Sequence, residues 1–191
     1  MKKIAIVGTH GTGKTTLAYK ICAEAKEKGM NATIINEVAR SCPFPLNESS
    51  SLDGCIWMVS EQIKREMDAI AQKTDIIVCD RSVLDMIAYV PYEAAYGEIY
   101  EYLKMFCMKW FKTYDNVFWV HPTGETIEPD GIRATDVEFQ KKIHISFQHT
   151  LSYLLGLKSV KTVRSSSIFK DQVKGVIAEA LKKEERIGDL Q

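Results

Sequence analysis

The chain has 191 residues, 46% of them apolar, and its 25 basic side chains balance its 25 acidic ones. That length suits a single α/β domain, residues 1–191, with a full core. The zero net charge gives no overall pull toward nucleic acid, and no run approaches the ~18 apolar residues of a membrane span. Four apolar residues between the first lysines and the first glycine are too few for a secretion signal, and the five cysteines are scattered. A cytoplasmic protein without a disulfide framework is therefore expected.

Taken in chain order, Ile4–Val7 reads as a buried strand, and Thr15–Lys28 reads as a helix. Between them, Gly8, Thr9, His10, Gly11, Thr12, Gly13, Lys14 and Thr15 form G-x-x-x-x-G-K-[ST] in the strand–loop–helix context that motif requires, with Thr16 directly after it. The glycines let successive N–H groups converge on phosphate oxygens, and the helix N-terminus adds positive charge there. Lys14 is expected to reach the β- and γ-phosphates of ATP, and the Thr15 hydroxyl to take a Mg²⁺ position. His10 and His121 show no partner constellation, and His10 reads as a variable position of the loop.

Ala32–Ile35 is the second expected strand and ends in Asn36-Glu37-Val38-Ala39-Arg40. A helix running ~20 Å away and a short strand returning bring Glu37 back to the level of the glycine loop. Glu37 is then placed to orient or deprotonate an acceptor hydroxyl, with Arg40 beside it. Residues 40–51, with two prolines and the serine run Ser49-Ser50-Ser51 directly before Leu52, read as a substrate loop. Leu52–Lys73 reads as a helix whose apolar face is Ile56, Val59, Ile63, Met67 and Ile70. Trp57 and Gln62 on it, with Tyr89 further on, are candidates for stacking on and hydrogen-bonding a planar base.

Ile76–Cys79, the third strand, runs into Asp80-Arg81-Ser82. Asp80 stands where a carboxylate holds the Mg²⁺ shell, and Arg81 calls for an anionic partner. Leu84–Tyr114 reads as helical with a break near Pro91 and Gly97, and Val117–Val120 is the fourth strand. After it, residues 122–135 read as a lid, and Arg133 on that lid suits closure over the transferring phosphoryl group. A guanine-reading N/T-K-x-D segment is missing there, since the chain reads His121-Pro122-Thr123-Gly124. Asp136–Leu155, Val160–Val163 and Ile168–Glu185 complete the alternation as helix, strand and helix. Such alternation predicts a parallel sheet covered on both faces.

The chain resembles the P-loop kinase-like ATPases that include the nicotinamide riboside kinase domain of bacterial NAD regulators, and more distantly deoxynucleoside and thymidylate kinases. The residues that carry this are Gly8–Thr16, Asn36–Arg40, Asp80-Arg81-Ser82 with Asp85 and Tyr89, and Asp130-Gly131-Ile132-Arg133. The resemblance implies a three-layer fold with a five-stranded parallel sheet and the glycine-loop strand at its centre. It also implies transfer of the ATP γ-phosphoryl group to a small acceptor and allows a homodimer. Glu37 matches the acidic residue facing the acceptor, Asp80-Arg81-Ser82 resembles a Glu-Arg-Ser motif, and Arg133 resembles a lid arginine. A nucleoside, nucleotide or riboside is the expected acceptor. An ATP-dependent switch and a polynucleotide 5′-hydroxyl kinase are the alternatives, and the missing basic stripe counts against the second.

Overall fold

The computed structural model describes residues 1–90, 97–122, 136–155, 160–164 and 169–182. Five parallel strands form one sheet: β1 (Lys2–Val7), β2 (Ala32–Ile35), β3 (Ile76–Asp80), β4 (Asn116–His121) and β5 (Val160–Arg164), in the order β2-β3-β1-β4-β5. The central strand β1 pairs with β3 through Ile4↔Val78 and with β4 through Ala5↔Val117. The helices are α1 (Lys14–Glu27), α2 (Leu52–Ala71), α3 (Val83–Ala88), α4 (Glu98–Phe111), α5 (Val137–Leu155) and α6 (Phe169–Leu181). Each expected strand and helix is present, with ends shifted by a few residues. The long third helical segment is divided into α3 and α4, as Pro91 and Gly97 foretold, and Gly97 caps α4 at φ 107°. None of the helices, among the described residues, is long and apolar enough to cross a membrane.

Successive strand side chains point to opposite faces, and the two faces make two cores. Ile4, Ile6, Val78, Phe118 and Val120 pack under α1 and α6, against Leu17, Ile21 and Ala180. Ala5, Val7, Ile77, Cys79, Val117 and Trp119 face the other way and are covered by side chains of α2, α3, α4 and α5. Lys3 shares that second face and is 2% exposed. Its ammonium lies 2.7 Å from the Glu66 carboxylate of α2, itself fully buried. Trp110 Nε1 (2.8 Å), Tyr114 Oη (2.6 Å) and Gln62 Nε2 (2.9 Å) also donate to Glu66.

This network changes the reading of α2. The buried residues are Gly54, Cys55, Met58, Val59, Gln62, Glu66 and Ala69, about one position away from the expected apolar face, and Met67 is 48% exposed. Hydrophobic periodicity misplaces the face because a buried lysine on β1 recruits a carboxylate and an amide into the interior. Burying Glu66 without such partners would be prohibitive.

Candidate active site

β1 ends at Gly8, where φ is 134° and a Cβ would lie 2.5 Å from the Val120 carbonyl oxygen of β4, so no side chain fits. Gly13 closes the loop as the N-cap of α1 in the left-handed region, at φ 79°. The intervening loop is held from both sides. Tyr89 Oη accepts the His10 N–H at 3.0 Å and sits 3.0 Å from His10 Nδ1. From α5, Gln140 Nε2 donates to the His10 carbonyl at 2.8 Å, Thr9 Oγ1 donates to the Gln140 carbonyl at 3.3 Å, and the Phe139 ring stacks on His10 at 5.7 Å. His10 is therefore an anchored residue, not a merely variable one. Nothing local to the glycine loop signals Phe139 or Gln140, which lie some 130 residues on.

Lys14 is 5% exposed and its ammonium donates to the Thr9 carbonyl and, at 3.3 Å, to Thr12 Oγ1. Burial, with Arg81 nearby, lowers its pKa to about 7 against the pull of Asp80, Asp85 and Glu37. A phosphate anion placed on this ammonium would favour its charged form. At the head of α1, the Thr15 hydroxyl donates to Asp80 Oδ2 at 2.6 Å. These are the hard oxygen donors that Mg²⁺ takes, and no group of three or more His, Cys, Asp or Glu side chains among the described residues forms a metal cage. An ion held by one hydroxyl and one carboxylate draws its remaining ligands from water and phosphate, the usual Mg²⁺ arrangement. The residues fit the ion.

The centre of the site is Arg81. Its φ of 87° is positive, a conformation that costs a non-glycine residue on the order of 1–3 kcal/mol. The strained turn directs a guanidinium that is 7% exposed between the strands. Arg81 Nε donates to Glu37 Oε1, Nη1 reaches the Gly8 carbonyl at 3.3 Å and Asp85 Oδ1 at 3.4 Å, and the group lies 5.2 Å from the Tyr89 ring centroid. Asp85 also caps α3 with Ser82 and accepts the Gly8 N–H at 3.3 Å. Burial pushes the Asp85 carboxyl up, opposed by Arg81 and Lys14. Burial acts the same way on Glu37, but Arg81, Lys14 and Arg40 outweigh it and bring its pKa down to about 2. Arg40 Nε is 3.3 Å from Glu37 Oε2, as the sequence spacing allowed.

The sign of that shift sets a pH dependence. A carboxyl with a folded pKa of about 2 and an ordinary value of 4.5 stabilises the fold fully above pH 4.5 and loses the contribution as pH falls toward 2. The shift corresponds to on the order of 3 kcal/mol. The stability difference between the native chain and Glu37→Gln is expected to shrink across that window in urea titrations. A difference constant from pH 6 to pH 2 would show that Glu37 is not held ionised by its partners.

A cavity open to solvent lies beside this cluster and is lined by Glu37, Arg81, Asp85, Tyr89 and His10 together with Ala39, Leu46, Asn47, Ser50, Met58 and Met86. The 40–51 segment supplies Leu46, Asn47 and Ser50 from around the 3-10 turn Asn47–Ser49, so it does line the cavity. Trp57 is half-buried against the core and is not among the lining residues. Gln62 is committed to Glu66, with its Nε2 turned into the interior network. The 123–135 part of the expected lid, with Arg133, lies outside the described residues.

A central strand ending in a glycine loop, in a parallel sheet of order 2-3-1-4-5, defines a phosphate-loop nucleotide-binding domain of the kinase type. Residues 3–154 match the family model for an AAA domain, and the chain belongs to that family. No curated protein matches it in sequence. Among solved structures, the chain is similar to deoxyadenosine kinase from M. mycoides with bound dATP, at TM-score 0.64 and 16% identity over 95% of this chain and 100% of that one. The same kinase with the products dCMP and a flexible dCDP matches at TM-score 0.61 and 16% identity, over 93% and 97% of the two chains. The NadR protein in complex with NR matches at TM-score 0.66 and 20% identity, over 98% of this chain but 54% of that one. The fold expected from the sequence is the fold observed.

Proposed function

We propose that this chain is an ATP- and Mg²⁺-dependent phosphotransferase that moves the γ-phosphoryl group to a hydroxyl or phosphate of a nucleoside, nucleotide or related riboside. The observation that carries the reading is the Glu37–Arg81–Asp85 cluster, which both lines the cavity and bonds directly to Gly8 of the glycine loop. An acceptor in that cavity is thereby set against the loop that cradles phosphate. The kinases with dATP, with dCMP and dCDP, and the NadR protein with NR share this fold, which supports an acceptor of that size and chemistry.

In this reading the glycine-loop N–H groups and Lys14 hold the β- and γ-phosphates, while Thr15 and Asp80 hold Mg²⁺. The ion, when bound, supplies neutralisation of triphosphate charge. Glu37, with a pKa of about 2, is ionised at neutral pH and accepts a hydrogen bond from the acceptor hydroxyl. So weak a base takes the proton late, which suits a loose phosphoryl transition state. Arg81 stays cationic because Glu37, Tyr89, Asp85 and Asp80 together outweigh its burial, and it neutralises charge on the transferring group. Leu46, Met58 and Met86 exclude water from the acceptor's apolar side. Arg133 is assigned to the lid.

Glu37→Gln is expected to leave nucleotide affinity nearly unchanged and to lower turnover ~100-fold or more. An unchanged rate would reassign Glu37 to structure. The test of the whole proposal is ADP release across nucleosides, deoxynucleosides, nicotinamide riboside and nucleoside monophosphates, with a no-acceptor blank and a 5′-hydroxyl oligonucleotide. Stimulation by one small molecule establishes the reaction. Steady hydrolysis that no acceptor stimulates would favour an ATP-dependent switch, and stimulation by the oligonucleotide alone would favour end phosphorylation.

A further inference from the structure

Helix α3 reaches the glycine loop at two points. Near its start Asp85 Oδ1 accepts the Gly8 N–H at 3.3 Å, and at its end Tyr89 Oη accepts the His10 N–H at 3.0 Å. The two residues are four apart, about one helical turn, and both line the cavity. The wall of the cavity and the loop that takes phosphate are therefore joined through the same short helix.

Asp85 is also committed to Arg81 and to the cap it forms with Ser82. Tyr89 differs, because its two ends face different sites. Its hydroxyl meets the N–H of His10 and, at 3.0 Å, the Nδ1 of the same residue. Burial pushes the phenol up, against the pull of Arg81, so the hydroxyl keeps its proton at neutral pH and can both donate and accept. Its ring lies 5.2 Å from the Arg81 guanidinium and edge-on to Phe139 at 6.1 Å. Beyond these neighbours lies the cavity, the space into which the ring can swing.

We propose that Tyr89 is a positioning residue that holds the glycine loop in register with the acceptor cavity, and that an acceptor in the cavity keeps it there. This rests on the reading of the cavity as the acceptor site. An acceptor fills the space into which the ring would otherwise swing, so it favours the state in which the hydroxyl grips His10. Gln140 holds the carbonyl of His10 at 2.8 Å, so a gripped N–H fixes this stretch of main chain on both sides. The N–H groups from Gly11 onward then meet the phosphates in a fixed arrangement, and nucleotide binds more tightly. Such coupling is reciprocal, so nucleotide strengthens acceptor binding by the same factor.

Two substitutions separate the hydroxyl from the ring. Tyr89→Phe keeps the ring and releases His10. It is expected to raise the Kd for ATP with Mg²⁺ roughly fivefold, by calorimetry without acceptor, as loss of one hydrogen bond implies. The melting temperature should move by ~3 °C or less. Tyr89→Leu removes the ring as well and is expected to raise the acceptor KM in addition. With any nucleoside or riboside that stimulates ADP release, the native KM for ATP is expected to fall about two- to threefold as acceptor saturates. The same constant in Tyr89→Phe is expected to ignore the acceptor. A merely structural tyrosine would instead lower the melt and raise both constants together in both variants. A Tyr89→Phe protein that binds ATP as tightly as the native chain overturns the proposal, and so does a native KM for ATP indifferent to acceptor. If no acceptor stimulates ADP release, the phosphotransfer reading falls and the calorimetry alone decides the role of Tyr89.

Discussion

Lys14→Ala is expected to reduce nucleotide-dependent turnover by on the order of 1,000-fold or more, without unfolding the protein. The ammonium is nearly fully buried, and its hydrogen-bond partners are the Thr9 carbonyl and Thr12 hydroxyl of the loop that it serves. In that position it meets the phosphates as a desolvated charge, where its attraction is far stronger than in water. The same desolvation, with the Arg81 charge acting in the same direction, lowers its pKa to about 7. Removing such a group relieves a cost in the folded state and leaves the core of Ile4, Ile6, Leu17 and Ile21 untouched. Melting temperature should therefore change little while ATP affinity and turnover collapse. The checks are nucleotide titration and steady-state rates beside a thermal melt. Full retention of activity would remove the basis for assigning phosphate to this loop, and a collapse of the melt would make the lysine structural.

The largest effect on stability is expected at Glu66. Alanine there leaves the Lys3 ammonium without its counter-charge and strips a partner from the buried Gln62 and Tyr114 and the half-buried Trp110. Breaking a buried ion pair from one side costs about 3–5 kcal/mol. For a domain of this size each kcal/mol moves the midpoint by about 2–4 °C, so a fall of roughly 10 °C is expected in calorimetry. The pair itself need not be stabilising, because the desolvation of both charges offsets much of their attraction. Lys3→Met combined with Glu66→Leu should therefore lose less than Glu66→Ala alone, which a double-mutant cycle would measure. A Glu66→Ala protein that melts with the native one would mean that water reaches this network.

Much of the candidate site was legible because its elements are short-range. Gly8, Gly13 and Lys14 declare a phosphate loop by spacing alone, and Glu37, Asp80 and Arg81 follow directly on strands that a run of apolar residues reveals. In a parallel sheet all strand C-termini share one edge, so residues after different strands meet without any long-range information. That reasoning placed Thr15 and Asp80 together, and the structure sets them 2.6 Å apart.

The parts that were not legible depend on which side chain neighbours which. Gln62 follows Trp57 by five residues and has the chemistry to read a base, yet Lys3 on the adjacent strand draws Glu66, and with it Gln62, into the interior. The Phe139 and Gln140 clamp on His10 joins segments with no local pattern in common. By itself the sequence determined the sheet, the loop and the chemistry available at the strand ends, because backbone geometry and periodicity are local properties. Only the tertiary structure decided which polar groups are buried and with whom. Desolvation is settled by the whole set of neighbours around a side chain, and those neighbours arrive from distant parts of the chain.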